Sequence, residues 1–211
     1  MKTNQMDFWN GQFGSEYTDR NTYSYEELDG FYKAQFGVTR TEMNQEFLGG
    51  LSLATTLEAG CNVGNQLRCL QAMGFNGLYG IELQQYAVEK SKQLSRGINI
   101  IQGSLFDIPF KDSYFDMVFT SGVLIHISPD DIYKAIDEMY RVSNRYIWGF
   151  EYYAEAGYQE VQYRGNEDKL WKTNFMQLFL DRYPNLQVVK EKIYKYVQSD
   201  LVDQMYLLEK K

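Results

Sequence analysis

A turn of small residues about a quarter of the way along the chain brings backbone close to something: a dinucleotide, a nucleoside cofactor or merely the next helix. Thr55-Thr56-Leu57-Glu58-Ala59-Gly60-Cys61-Asn62-Val63-Gly64-Asn65-Gln66 reads as a short apolar strand, a turn and a helix start. Gly60 permits a tight turn that a side chain would obstruct, and Asn62 takes positive φ more readily than most residues. Gly64 lets the helix start pack close, with free N–H groups aimed at a ligand. Further on, Leu78-Tyr79-Gly80-Ile81-Glu82 ends a strand on a carboxylate. That group can accept from both hydroxyls of one ribose; the plain alternative is a solvated strand-end Glu. His126 is the only histidine of the chain. It titrates near neutrality and can serve as a general base, or it packs at the base of the next helix with its ring satisfied by backbone. Glu151-Tyr152-Tyr153 and Tyr163-Arg164-Gly165 supply a carboxylate, rings that stack on sugars and a guanidinium suited to phosphate or carboxylate. A tyrosine-rich structural lid would use the same residues.

Other polar clusters carry less chemistry. Asp130-Asp131 is explained by helix capping and the helix dipole, so no metal site is read there. Lys190-Glu191-Lys192 reads as a solvated strand face, and Trp9 as packing. The net charge of −7 and the lack of any Lys/Arg cluster argue against nucleic acid as a partner. Cys61 and Cys69 lie eight residues apart with no zinc-ligand neighbours, which points to reduced thiols and a cytoplasmic setting. The longest apolar run, Met117 to Ile127, is too short for a bilayer, and MKTNQMDFWNGQFG lacks the apolar core of a signal peptide. A soluble protein without a membrane partner is expected; monomer or homodimer stays open.

These residues need a frame that brings them together. Strand-like Thr55–Glu58, Leu78–Glu82, Ile98–Gln102, Phe115–Thr120 and Arg145–Phe150 alternate with helical stretches at 64–73, Gln85–Leu94 and Ser128–Arg141. Ser128 suits the N-cap of the last of these and Pro129 its first turn. Such alternation predicts a parallel sheet with helices on both faces, and ligands at its carboxyl edge. Residues 1–24 read as an ordered aromatic arm, and 25–50 as a helical region ended by Gly49-Gly50. Residues 151–171 show no period and read as a long functional loop. A helix over 173–182 precedes β-rich Gln187–Val197 and Gln204–Leu208, expected as an antiparallel hairpin.

The order Glu58-x-Gly60-x-Asn62-x-Gly64, then Glu82, then Gly103-Ser104-Leu105-Phe106-Asp107-Ile108-Pro109-Phe110, then Phe115-Asp116-Met117-Val118-Phe119-Thr120-Ser121 resembles the motif series of class I S-adenosylmethionine-dependent methyltransferases. FWNGQFGSEYTDRN, FTSGVLIHISPDDI, GFEYYAEAGYQEVQYRGNEDKLWKTNF and LDRYPNLQVV are similar to the methylases associated with pseudaminic acid biosynthesis. The resemblance implies a Rossmann-like α/β fold with a mostly parallel seven-stranded sheet and an antiparallel C-terminal hairpin. It implies one methyltransferase domain over 1–211, with an N-terminal helical arm or lid (1–50), a cofactor core (51–150), a substrate loop (151–172) and a C-terminal helix and hairpin (173–211).

The implied cofactor is S-adenosyl-L-methionine, leaving as S-adenosyl-L-homocysteine. Glu58, Gly60, Asn62, Gly64, Asn65, Gln66, Glu82, Leu83, Ser104, Leu105 and Thr120 would hold it. Tyr17 would close the methyl pocket and Arg20 would meet the methionine carboxylate. His126, Tyr17 and Glu151 are the catalytic candidates; His126, Glu151, Tyr152, Tyr153, Tyr163 and Arg164 would face a small polar acceptor such as a sugar or nucleotide-linked sugar. A nicotinamide enzyme would want glycine where Gln66 stands, and a cofactor-binding partner protein without turnover would not need so polar an edge.

Overall fold

The sheet grows outward from one short central strand. A computed structural model describes residues 2–211. Strand β1 (Thr56–Ala59) pairs in parallel with β2 (Leu78–Glu82) on one side and β4 (Phe115–Ser121) on the other. Beyond β2 lies β3 (Ile98–Gln102), and beyond β4 lies β5 (Ser143–Tyr152), both parallel. Strand β9 (Val202–Lys210) joins β5 antiparallel, and β8 (Leu186–Lys195) pairs antiparallel with β9 at the edge. The order is β3-β2-β1-β4-β5-β9-β8. Chain direction away from the centre reverses between β1 and β4, which opens a crevice at the carboxyl ends of those strands. Because β9 runs the other way, its first residues reach that same edge, with Asp203 opposite Tyr152.

Helices cover both faces. On one face, α3 (Tyr25–Phe36), α4 (Arg40–Leu48) and α5 (Asn65–Ala72) bury Phe47, Leu67 and Leu70 against Met117, Phe119 and Trp148. On the other, α7 (Ile132–Val142) and α8 (Phe175–Arg182) bury Ile136, Met139 and Phe179 against Leu57, Val118 and Ile147. The buried residues of α7 are Ile132, Ala135, Ile136, Met139 and Val142, a single stripe at helical spacing. Each of these side chains larger than Ala135 contributes about 1.5–3 kcal/mol when taken fully out of water. Helix α6 (Gln85–Leu94) adds Val88 to the first face.

The arm folds as two short helices, α1 (Asn4–Asn10) and α2 (Gln12–Arg20), laid across the carboxyl edge. Several local features differ from the sequence expectation. Residues 25–50 form two helices, because Gly37 takes a left-handed C-cap and Thr39 opens a new capping box with Glu42. Helix α7 begins at Ile132, not Ser128: the Ser128 hydroxyl and carbonyl accept the Asp130 and Asp131 N–H groups, closing a separate turn before Asp131 caps the helix. The expected long loop contains a ribbon of β6 (Gln159–Glu160) and β7 (Trp171–Lys172). Beyond the ribbon, Tyr163 and Asn166 exchange backbone hydrogen bonds across Arg164-Gly165, both at positive φ.

Candidate functional site

Glu58 is the third residue of a strand that is buried on both faces, so its carboxylate emerges inside the molecule. No side chain or backbone group bonds its Oε2. Burial raises its carboxyl well above the ordinary range, opposed first by the Arg40 guanidinium. After Ala59 the chain turns through Gly60 at φ 76° and Asn62 at φ 48°. A Cβ on Gly60 would sit 2.8 Å from a Val123 methyl, so the turn and the β4 end are packed as closely as glycine allows. Glu82, at the end of β2, clamps this turn. One carboxylate oxygen accepts the Asn62 N–H at 2.8 Å and the other accepts the Gln84 N–H at 2.9 Å. Burial raises its pKa while those N–H groups hold it down.

These residues line one cavity of about 590 Å³, in the range of roughly 300–1,000 Å³ usual for small-molecule sites. Leu83, Ser104 and Leu105 continue the wall beside Glu82, and Asn65 and Gln66 lie beyond the turn. The Gln66 amide donates to the Tyr32 hydroxyl at 3.3 Å, while its own carbonyl oxygen has no partner. A buried orphan carboxylate oxygen, a buried orphan amide oxygen and a glycine-tight turn fit a ligand that brings polar hydrogens, as the amino-acid and ribose parts of S-adenosyl-L-methionine do.

The arm closes the cavity from above. Gln84 binds the Trp9 and Gly11 carbonyls and Ser15. The Thr18 hydroxyl reaches Asn62 at 2.9 Å, and Asn65 binds the Asn21 carbonyl at 2.7 Å. Tyr17 and Arg20 therefore both reach the wall. Arg20 also keeps Glu16 at 3.6 Å. Trp9 is not mere packing: it lines the cavity, lies 4.5 Å from the His126 ring and 5.2 Å from Tyr17 between centroids, and its Nε1 has no partner.

His126 ends a single 3₁₀ turn after β4. Its Nδ1 lies 2.7 Å from the Lys169 carbonyl oxygen, which can only accept, so Nδ1 carries the proton and Nε2 the lone pair. Burial pushes its pKa down to about 4, keeping the ring neutral. Tyr163 stands 5.1 Å from it, and Tyr152 and Arg164 join the same wall.

Four residues read from the sequence stand outside the cavity. Gly64 serves packing: at φ 77° it caps α5, and a Cβ there would meet Ile100 at 2.8 Å. Thr120 is buried in β4, and Tyr153 faces away beside Glu155 and Glu191. Glu151, 1% exposed, is a clip rather than a catalytic group. Its carboxylate accepts the Val123 N–H at 3.0 Å and the Ile125 N–H at 3.4 Å, fixing the turn that carries His126. Besides Trp9, the sequence reading missed Tyr32, Phe36, Phe150, Tyr196 and Asp203, which wall the far end. The apolar spacing of Tyr32 and Phe36 in α3 signalled only a buried face. Among the described residues no group of His, Cys, Asp or Glu could hold a metal, and no helix is long and apolar enough to cross a membrane.

Residues 57–145 match a protein-family model described as a methyltransferase domain. Cycloartenol-C-24-methyltransferase of Arabidopsis thaliana is 27% identical over 92 residues, which are 41% of this chain and only 27% of that protein's length. A S-adenosylmethionine-dependent methyltransferase from Leishmania major superposes with a TM-score of 0.72 at 15% identity, covering 98% of this chain and 87% of that one. The 1,6-didemethyltoxoflavin-N1-methyltransferase of Burkholderia thailandensis, solved with 1,6-didemethyltoxoflavin and S-adenosylhomocysteine bound, gives 0.70 at 12% identity over the same shares. At such identities the structural likeness is one of fold.

Proposed function

We propose, for a chain that carries a methyltransferase domain over residues 57–145 and the fold of S-adenosylmethionine-dependent methyltransferases, that it methylates a small polar acceptor at oxygen or nitrogen. A sugar, a nucleotide-linked sugar or a related metabolite is the acceptor class. Its likeness in four sequence stretches to the methylases associated with pseudaminic acid biosynthesis supports that class. The observation that carries the reading is the pair of carboxylates, buried Glu58 and half-buried Glu82, on either side of the Gly60–Asn62 turn in one cavity.

When bound, S-adenosyl-L-methionine supplies an electrophilic methyl group on sulfur and leaves as S-adenosyl-L-homocysteine. Glu82 accepts ribose hydroxyls with the lone pairs its two backbone donors leave free. Ser104 and Leu105 flank the base. Glu58 and Gln66 accept the polar hydrogens their orphan oxygens lack, and Arg20 holds a carboxylate at the arm. The rings of Trp9, Tyr17 and Tyr163 exclude water. Nε2 of His126, with its lone pair free, takes the proton that a hydroxyl or ammonium acceptor loses. The cytoplasm is the proposed compartment, supported by Cys61 and Cys69, which are buried and unbridged.

Calorimetric titration with S-adenosylhomocysteine and, separately, NADH tests the cofactor. We expect S-adenosylhomocysteine to bind, NADH not to, and Glu82→Ala to weaken binding about tenfold to a hundredfold, the worth of charge-assisted hydrogen bonds at roughly 1.5–3 kcal/mol. Binding of NADH instead would refute the cofactor assignment.

A further inference from the structure

The cavity continues past the proposed cofactor wall to an end that is aromatic and acidic. Phe36 from α3, Phe150 and Tyr152 from β5, and Tyr196 after β8 line it around Asp203. The rings support one another edge to face: Phe36 and Tyr196 lie 4.7 Å apart between centroids, Phe36 and Phe150 5.7 Å. Asp203 is 3% exposed. Among the described residues the Tyr196 hydroxyl is its one side-chain donor, at 3.2 Å on Oδ2, and no lysine or arginine forms a salt bridge with it. The Lys172 ammonium is held 5.9 Å from the Tyr152 ring. Arg40, fully buried behind this wall, binds Asn44 and Tyr32, leaves its Nη2 unpaired and packs over the Tyr32, Trp148 and Phe150 rings. Burial pushes the Asp203 carboxyl up to about 7, with Glu151 adding to the rise and the Tyr196 hydroxyl, Lys172 and Arg40 opposing it, so its ionised form is costly and a cation paired with it would offset that cost. Ring faces around such a group attract cations and repel anions.

We propose that this end of the cavity binds the methyl acceptor through a cationic nitrogen, so that the acceptor class is amines and amine-bearing sugars rather than neutral ones. The inference rests on the methyl-transfer reading of the same cavity. A protonated ammonium paired with Asp203 has no lone pair and is not itself the nucleophile. It anchors the acceptor while a second atom, a hydroxyl or a neutral amine, loses its proton to His126 and forms the new bond to carbon as the carbon–sulfur bond breaks.

The test uses the full chain saturated with S-adenosylhomocysteine, so that the cofactor's own ammonium site is filled. The probe is tetramethylammonium chloride, followed by broadening of its methyl proton resonance at constant ionic strength, with tert-butanol as the neutral shape control. Saturable binding of the cation alone is expected, weakened about tenfold or more in Asp203→Asn and in Phe36→Leu, while S-adenosylhomocysteine affinity stays unchanged in both. Phe36→Leu keeps the test intact should Asp203→Asn fail to fold. No cation binding, equal binding in the variants, or equal binding of tert-butanol overturns the proposal. Loss of S-adenosylhomocysteine affinity in folded Asp203→Asn also overturns it, by assigning Asp203 to the cofactor. Failure of the wild type to bind S-adenosylhomocysteine at all is a different result and sinks the methyl-transfer reading instead.

Discussion

A single imidazole in the chain makes the protonation of the site directly readable. His126 is held neutral by burial, with its pKa near 4, against about 6.5 in an unfolded chain. The folded state therefore binds a proton less readily than the unfolded one. The stability this confers is present above pH 6.5 and is lost as pH falls toward 4. In a proton NMR titration the imidazole resonance should stay fixed between about pH 5.5 and 8; a midpoint near 6.5 would show that the ring is solvated and the Lys169 contact absent. Glu151 has the opposite sign: burial pushes its pKa up to about 7, so its contribution is present below the ordinary carboxylate range and is lost as pH rises through 7. At this scale Glu82 was legible as a strand-end acid, and Glu58 only through the resemblance of the Glu58-x-Gly60-x-Asn62-x-Gly64 series to a family motif. Glu151 was not, since a strand-end carboxylate reads alike whether it meets a ligand or the N–H groups of the next turn.

Two glycines of one motif have different work at the scale of the element. Gly60 and Gly64 both hold φ near 77°, but only Gly60 touches the cavity. Gly60→Ala would push a Cβ against Val123, shift the turn and lose S-adenosylhomocysteine binding as well as roughly 1–3 kcal/mol of stability. Gly64→Ala meets the movable end of Ile100, so a similar stability loss should come with cofactor affinity nearly intact. Denaturant melts beside calorimetry separate the two; equal loss of binding in both would mean that the helix start itself touches the ligand. Most elements were legible, because β-branched and aromatic runs alternate with amphipathic stretches at regular intervals. The exceptions were set by side-chain caps and turns: Thr39 with Glu42, Ser128 with Asp130, and the Arg164-Gly165 turn. These depend on local hydrogen bonds that apolar periodicity does not register.

The whole molecule joins the arm, the sheet edge and the last strand pair around one space. Trp148 and Trp171 are buried in the body, whereas Trp9 lines the cavity, so tryptophan fluorescence should change on ligand binding. Trp9→Phe should abolish most of that change; a signal that survives would place the arm away from the ligand. The fold class was legible from the order of motifs, but the far wall was not. Its members come from α3, β5, β9 and the turn between β8 and β9, and which of their residues meet depends on sheet order. Asp203 also sets a constraint on synthesis. On the ribosome, strands β1, β2 and β4 can pair while the final hairpin is still in the exit tunnel. A nascent chain at that stage has the turn and both motif carboxylates, yet the Asp203 end of the cavity stays unbuilt until the antiparallel partner of β5 emerges.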